Sequence, residues 1–297
     1  MEKVYENCCG VDVHKKLIVA CFKQERKQEI RQFGASTWDL LEMAEWLIEG
    51  GCEKVAMEST ASYWKPLYNI LKSSGISAIV VNAQHMKAVQ ERKTNVTDAE
   101  WIVDLLRHGL LKTSFIPDKA QRKLREMMGY HKSLIEEHAA ELNRLQKVLD
   151  GANIKLSGTV KDINGKSGRN FLEVILAGEK IDLAKIKEKR QNKLIANNLK
   201  ATDEQLANDL SGVLSPIQKK MLKTMLTHID ELAKHIRELD DEIDGNMKNE
   251  EKVAAAKIQE ISGIGNTSAE VVISVIGTDM TRFPTDAHIS LWAGLCP

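Results

Sequence analysis

The chain has 297 residues, and its 42 acidic and 42 basic side chains give a formal net charge of zero. This balance excludes a simple, uniformly basic nucleic-acid-binding protein, although local charged patches are compatible with it. A chain of this length can bury a large core, and we expect two or three domains.

The cysteines and the apolar segments exclude two further classes. The five cysteines form no CxxC pair and no Cys/His cluster with the spacing of zinc ligands, so we expect free, mostly buried thiols in a reducing cytosol. The polar first residues are not typical of a signal peptide, and no apolar run reaches the roughly 18 residues that predict a membrane span. These observations predict a cytoplasmic protein that has no contact with a membrane.

Within a predicted first domain at 1–117, residues 8–115 alternate strand and helix patterns. Short apolar runs predict strands at 8–14, 17–23, 28–33, 54–58 and 76–81. Helical spacing of the apolar residues predicts helices at 37–50, 63–74, 83–91 and 98–108. Strands that alternate with helices after an initial meander predict one α/β domain with a mixed sheet.

Residues 118–252 contain two segments whose apolar residues recur in steps of three and four, which is typical of a coiled-coil seam. The first seam comprises Leu124, Met128, His131, Ile135, His138, Leu142, Leu145 and Leu149, and the second comprises Leu222, Met225, Ile229, Leu232, Ile236, Leu239 and Ile243. A polar connector with short helices, 151–215, separates them. We expect a homo-oligomer joined through this coiled coil, although the sequence leaves pairing within one chain open as well.

Two histidines of the first seam, His131 and His138, lie seven residues apart on one face of the predicted helix. A paired metal site is one interpretation. Partly buried seam histidines are the favoured one, because no carboxylate or cysteine completes a ligand set.

Residues 253–297 form a third predicted unit, in which Gly263 and Gly265 join two helices. This turn resembles the hairpin of a helix-hairpin-helix module, whose glycines let backbone N–H groups and a helix N-terminus approach a phosphate. A plain turn between two helices explains the same residues. We expect the two glycines to contact nucleic acid without reading its sequence.

Three acidic residues of the first domain stand in positions that favour chemistry. Asp12 lies between Val11 and Val13 in a predicted central strand, where an unpaired carboxylate is costly to bury. Glu58 ends another apolar strand, and Asp98 opens a helix, where an acidic cap is the alternative explanation. Each acid alone is more often structural than catalytic, but their combination predicts a site for Mg²⁺ or Mn²⁺, which prefer oxygen ligands. Two such ions about 3.5–4 Å apart can support phosphodiester cleavage.

Several segments together resemble the IS110 family of transposases. In the first domain they are Gly10-Val11-Asp12-Val13-His14-Lys15, Ala56-Met57-Glu58-Ser59-Thr60, Lys93-Thr94-Asn95-Val96-Thr97-Asp98-Ala99-Glu100-Trp101 and Leu105-Leu106-Arg107-His108-Gly109-Leu110-Leu111. Near the end they are Gly263-Ile264-Gly265 and Ser290-Leu291-Trp292-Ala293-Gly294-Leu295-Cys296-Pro297. The resemblance implies an α/β ribonuclease-H-like (RuvC-type) domain with a DEDD acidic set, then long coiled-coil helices, then a transposase domain with a catalytic serine. It also implies DNA as the substrate and, in some members, a structured guide RNA.

The family's acidic set carries over residue by residue with one departure. Asp12 matches the first acid, Glu58 the second and Asp98 the fourth, whereas Asn95 occupies the position of the third. An amide oxygen can still bind a cation but brings no charge, so we expect weaker metal affinity. Asp104 is a poor substitute, because six residues beyond Asp98 correspond to about 240° around a helix.

Two basic residues beside this site, Arg92 and Lys93, are candidates for phosphate contacts, with solvated surface charge as the alternative. In the family, the nucleophilic serine follows the Gly-Leu-x-Pro segment, so we expect it beyond residue 297. Serines before that segment match no such position.

These observations predict a DNA transposase or recombinase of an insertion sequence. The alternative is a catalytically inactive, nucleic-acid-binding fragment or remnant, which Asn95 and the missing serine favour. A sugar kinase or ATPase of the actin type is disfavoured, because His14-Lys15-Lys16 replaces the expected glycine-rich phosphate loop. A Holliday-junction resolvase would share the acids but not the coiled coil or the C-terminal unit.

Overall fold

The computed structural model describes residues 4–25, 27–59, 61–82 and 98–294. The chain divides into two compact units, Met1–Ile116 and Pro117–Pro297. The helix predicted at 83–91 lies outside the described residues. The division into three parts at 117 and 252 stays a prediction.

The N-terminal unit contains a five-stranded mixed sheet, which confirms the α/β prediction and is consistent with a ribonuclease-H-like DEDD domain. The strands are β1 Cys8–Val13, β2 Leu17–Gln24, β3 Lys27–Gly34, β4 Lys54–Glu58 and β5 Ser77–Val81. Their order across the sheet is β3-β2-β1-β4-β5. The first three strands form an antiparallel meander, and β4 and β5 run parallel to β1.

Alternating side chains give this sheet two buried faces. Helices α1 (Thr37–Glu49) and α2 (Trp64–Ser73) contribute to one core with Val11, Val55 and Met57. Helix α3 (Asp98–Arg107) covers the opposite face, where Ile102, Val103 and Leu106 meet Cys8, Cys21, Ala56 and Val81. Helix α3 therefore lies next to the polar residues on the central strands of this face.

The C-terminal unit is built on two long helices, α4 (Lys119–Gly151) and α9 (Pro216–Asn246), that pack against each other. Each helix begins at a capping side chain: Asp118 accepts from the Gln121 N–H, and Ser215 accepts from the Gln218 N–H. The two predicted seams thus meet within one chain, which the sequence left open.

The first seam departs from the predicted heptad in its middle. Leu134 is buried and Ile135 is 39% exposed, the reverse of the expectation. The reason is geometric, since a helix with 3.6 residues per turn drifts away from a strict seven-residue repeat. His131 is buried, with its Nε2 atom 2.8 Å from Asp240 Oδ1, and His138 is half-buried.

The connector between the long helices forms a small core of its own. Its helices are α5 Leu156–Thr159, α6 Lys166–Ala177, α7 Leu183–Gln191 and α8 Asp203–Asp209. Phe171, Leu172 and Ile186 pack with Leu149 and Ile229 of the long helices. The prediction of short helices over 151–215 agrees with these bounds, and their buried side chains explain why they fold.

The end of the described chain contains α10 (Asn249–Gln259), α11 (Asn266–Ile276), a short 3-10 helix (Met280–Arg282) and α12 (Asp286–Trp292). The C-terminal end of α11 packs against the start of α4. There the Gln121 and Arg125 side chains of α4 donate to the Ser274 carbonyl oxygen of α11 at 3.3 and 3.0 Å. Across the described parts of the chain, no helix combines the length and the hydrophobicity needed to cross a bilayer.

Candidate metal centre

Two of the predicted acids lie side by side at one edge of the sheet. Strands β1 and β4 are parallel, and the last pair in their register joins Val11 to Met57. Asp12 and Glu58 are the next residue of each strand, at the carboxyl end. Since directly neighbouring residues of parallel strands point to the same face, both acids belong to the face that α3 covers.

The third acid approaches the same edge because α3 lies unusually close to β1. A Cβ atom added to Gly10 would lie 2.3 Å from the Ala99 carbonyl oxygen and 2.4 Å from the Val103 backbone nitrogen. No side chain fits there without a backbone shift. Gly10 and Asp12 share one face of β1, so this contact also brings the start of α3 towards Asp12.

The direction of α3 decides which of its ends meets the acids. The carbonyl oxygen of Arg107, the last residue of α3, accepts from the Val4 N–H at 2.9 Å, just before β1 begins. The helix therefore runs antiparallel to β1. Its first residue, Asp98, lies at the carboxyl end of the strand, where Asp12 and Glu58 are found.

The side chains around this edge have defined surroundings. Asp12 is 15% exposed, and its Oδ2 atom is 3.0 Å from Nε2 of the exposed His14. Glu58 and Asp98 are half-buried. Within the described residues, no three histidine, cysteine, aspartate or glutamate side chains form a group able to hold a metal ion. The backbone thus brings the three acids to one edge and one face, whereas their carboxylates do not converge.

The donor chemistry of this edge nevertheless fits a divalent cation. Three carboxylates supply hard oxygen ligands and a surplus of negative charge, which Mg²⁺ and Mn²⁺ neutralise well. The other predicted residues of the site, Asn95, Arg92 and Lys93, lie outside the described residues.

Asp104 plays a different part, as its position on the helix predicts. Its Oδ1 atom is 2.5 Å from Nζ of Lys23 on β2. Lys23 pairs with Cys8, the first residue of β1, so this ion pair lies at the end of the strand opposite Asp12. Replacement of Asp104 is therefore a suitable control for replacement of Asp98, since both carboxylates lie on the same helix and only Asp98 lies near Asp12.

The cysteines of the N-terminal unit are not candidate nucleophiles. Cys8, Cys9, Cys21 and Cys52 are free thiols. Burial raises the pKa of Cys8 to about 11 and the pKa of Cys21 and Cys52 to about 12. Thiols with such pKa values stay protonated at neutral pH and react poorly.

The sequence interpretation missed the part played by Gly10. A glycine inside a strand often marks a close approach of another backbone, and that signal was available in the sequence. The identity of the approaching element was not, because α3 is far from Gly10 along the chain.

The glycines of the C-terminal turn lie as predicted between two helices. Gly263 has a φ of +92°, a conformation that favours glycine, and Gly265 directly precedes α11 without a capping side chain. No atom lies within 4 Å of a Cβ placed on either glycine. Gly263, Gly265 and Asn266 are exposed, so the turn before α11 is open to solvent, which suits a phosphate contact and a plain turn alike.

Comparison with known families identifies both ends of the chain. A DEDD transposase model of the IS110 type, described as a transposase, matches residues 9–154, and the model described as Transposase IS116/IS110/IS902 family matches residues 255–297. No curated protein matches the chain. A DEDD transposase domain implies the use of divalent metal, and a transposase binds DNA. The chain belongs to the IS110 family of transposases.

Proposed function

We propose that this transposase acts as the recombinase of an insertion sequence and that Asp12, Glu58 and Asp98 hold Mg²⁺ or Mn²⁺ against a DNA phosphodiester. One observation carries the proposal: the carboxyl ends of β1 and β4 and the start of α3 meet on one face of the sheet. Three carboxylates at one edge repel one another, and a divalent cation between them would relieve that repulsion.

The protein's own residues have distinct tasks in this scheme. The three carboxylates bind and orient the cation, and the close seat of α3 on Gly10 fixes the position of Asp98. A bound divalent cation supplies positive charge that stabilises a reacting phosphate. Asn95 offers a neutral oxygen in place of a fourth carboxylate, which lowers cation affinity. Arg92 and Lys93 contact the DNA phosphates and keep its backbone against the acids.

The C-terminal turn and the long helices have supporting roles in this proposal. The turn at Gly263 and Gly265 contacts phosphates through backbone N–H groups at the start of α11, as in a helix-hairpin-helix module. The paired long helices act as a coiled-coil support, in a homo-oligomer that works in the cytoplasm. From the family we further expect a serine nucleophile beyond residue 297. We also expect a guide RNA that the element encodes.

A catalytically inactive nucleic-acid-binding protein is the second candidate. Asn95 favours it, because loss of one carboxylate from a DEDD set weakens the hold on the cation. The two candidates differ in metal dependence, since DNA binding by itself needs no cation at the acidic edge.

Calorimetric titration of Mg²⁺ into the protein tests the acidic site. We expect Asp98→Asn to weaken binding by about tenfold or more, because the site loses a full charge next to the cation. The matched variant Asp104→Asn removes a carboxylate six residues along the same helix and should leave Mg²⁺ affinity unchanged. Equal losses in both variants, or no loss in Asp98→Asn, would show that Asp98 is not a ligand.

A further inference from the structure

Strand β3 is an edge of the sheet that the described part of the chain leaves open. It lies at the end of the strand order and pairs only with β2 there. All of its residues from Lys27 to Gln32 are exposed, including Ile30, which is 43% exposed. An eight-residue edge with free backbone N–H and C=O groups is a template for pairing with another strand.

The charges on β3 favour one occupant of this edge, a second copy of β3. If two copies pair antiparallel about a two-fold axis at Ile30, Glu29 of each copy lies opposite Arg31 of the other, and Gln28 lies opposite Gln32. The register also places Ile30 opposite Ile30. Nearly the whole strand takes part in the pairing.

Neighbouring registers are worse matched. An axis at Glu29 places the two glutamates opposite each other and Lys27 opposite Arg31, and an axis at Arg31 places the two arginines opposite each other. Like charges directly opposite each other destabilise a strand pair. Charged residues on an edge ordinarily discourage indiscriminate pairing. Here the same charges disfavour both neighbouring registers, and the axis at Ile30 pairs opposite charges over more of the strand than an axis at Gln28 does.

The side chains that would form the contact are already held in place. Glu29 accepts from Arg31 Nε at 2.6 Å, and the Arg31 guanidinium lies 4.8 Å from the ring centroid of Trp46. On the other face, Gln28 donates to Glu100 at 2.8 Å. Ordering these side chains before association lowers the entropic cost of binding.

We propose that this transposase forms a two-fold symmetric dimer through β3, in which two five-stranded sheets join into one continuous sheet with Ile30 at the axis. The seams of α4 and α9 pack against each other within one chain, so the proposed contact at β3 is separate from the predicted coiled coil. One strand pair is a small interface, so we expect a dissociation constant on the order of micromolar. The proposal is independent of the metal site.

Disulfide cross-linking of the full chain tests the register directly. Cα atoms directly opposite each other in an antiparallel pair lie about 4.5–5.5 Å apart, within the range a disulfide can bridge. Ile30→Cys should therefore give a covalent dimer under mild oxidation. Gln32→Cys is the matched control: in this register its two copies lie about 13 Å apart and cannot be bridged.

The native thiols interfere little with this test. The four cysteines of the N-terminal unit are buried or half-buried, and their raised pKa values make them slow to react. Cys296 lies outside the described residues and is replaced by serine in both variants. Failure of Ile30→Cys to cross-link, or equal cross-linking of Gln32→Cys, would overturn the proposal.

Charge reversal gives a second, reversible readout by sedimentation across a concentration series. Arg31→Glu and Glu29→Arg should each weaken association by about tenfold, because each brings like charges opposite each other across the axis. The double variant Glu29→Arg/Arg31→Glu restores opposite charges and should recover most of the affinity. Single variants that associate as well as the wild type would contradict the pairing about Ile30.

Discussion

Replacement of Gly10 by alanine is expected to destabilise the N-terminal unit by about 3 kcal/mol, because the new methyl group overlaps the backbone of α3. Its carbon would lie 2.3 Å from the Ala99 carbonyl oxygen and 2.4 Å from the Val103 nitrogen. Backbone atoms cannot rotate away as a flexible side chain can, so α3 must shift as a whole. The same shift moves Asp98 away from Asp12, and Mg²⁺ affinity should fall with stability.

Urea denaturation followed by tryptophan fluorescence measures this loss, since Trp38, Trp46, Trp64 and Trp101 all lie in the N-terminal unit. Gly129→Ala is the matched control. Gly129 lies inside α4, in the C-terminal unit, with no atom within 4 Å of an added Cβ, so alanine there should not lower the unfolding midpoint that these tryptophans report. An unchanged midpoint for Gly10→Ala would mean that α3 does not lie against β1 as described.

Loss of metal-dependent DNA cleavage is the expected result of Asp12→Asn. A cation that stabilises a reacting phosphate contributes several kcal/mol, so losing it should slow cleavage by about 10²–10³-fold. DNA binding should persist, because phosphate contacts from other residues do not depend on Asp12. Asparagine keeps the size of the side chain and removes its charge, which limits the structural disturbance.

Nicking of a supercoiled plasmid in Mg²⁺ and in EDTA measures this effect, with Asp104→Asn as the control carboxylate. Undiminished nicking by Asp12→Asn would remove Asp12 from the site. If the wild-type chain binds DNA but shows no metal-dependent nicking, the inactive nucleic-acid-binding alternative is correct.

The sequence predicted much of the fold because local patterns decide it. The short apolar runs of β1 and β2 and the polar turn Lys15-Lys16 between them predicted a hairpin, which the register of Val13 with Ile18 confirms. The helix that opens at Asp98 was equally readable, because its apolar residues recur at helical spacing.

The sequence did not predict the contacts between distant segments in the same way. The seam of α4 could face a partner chain or α9, and only the folded chain shows that it faces α9. The burial of Leu134 in place of Ile135 depends on how the helix drifts over several turns. A strict seven-residue repeat does not include that drift. At the acidic edge the residue types of Asp12, Glu58 and Asp98 were predictable, whereas the Gly10 contact that seats α3 was not.

Crystals grown with Mn²⁺ would show whether Asp12, Glu58 and Asp98 bind one cation, since anomalous scattering locates the ion without reference to activity. We expect a peak at the carboxyl ends of β1 and β4, with oxygen atoms of Asp12, Glu58 and Asp98 about 2.0–2.3 Å from it. No peak at this edge, or a peak bound by other residues while these three carboxylates remain apart, would contradict the proposed metal site.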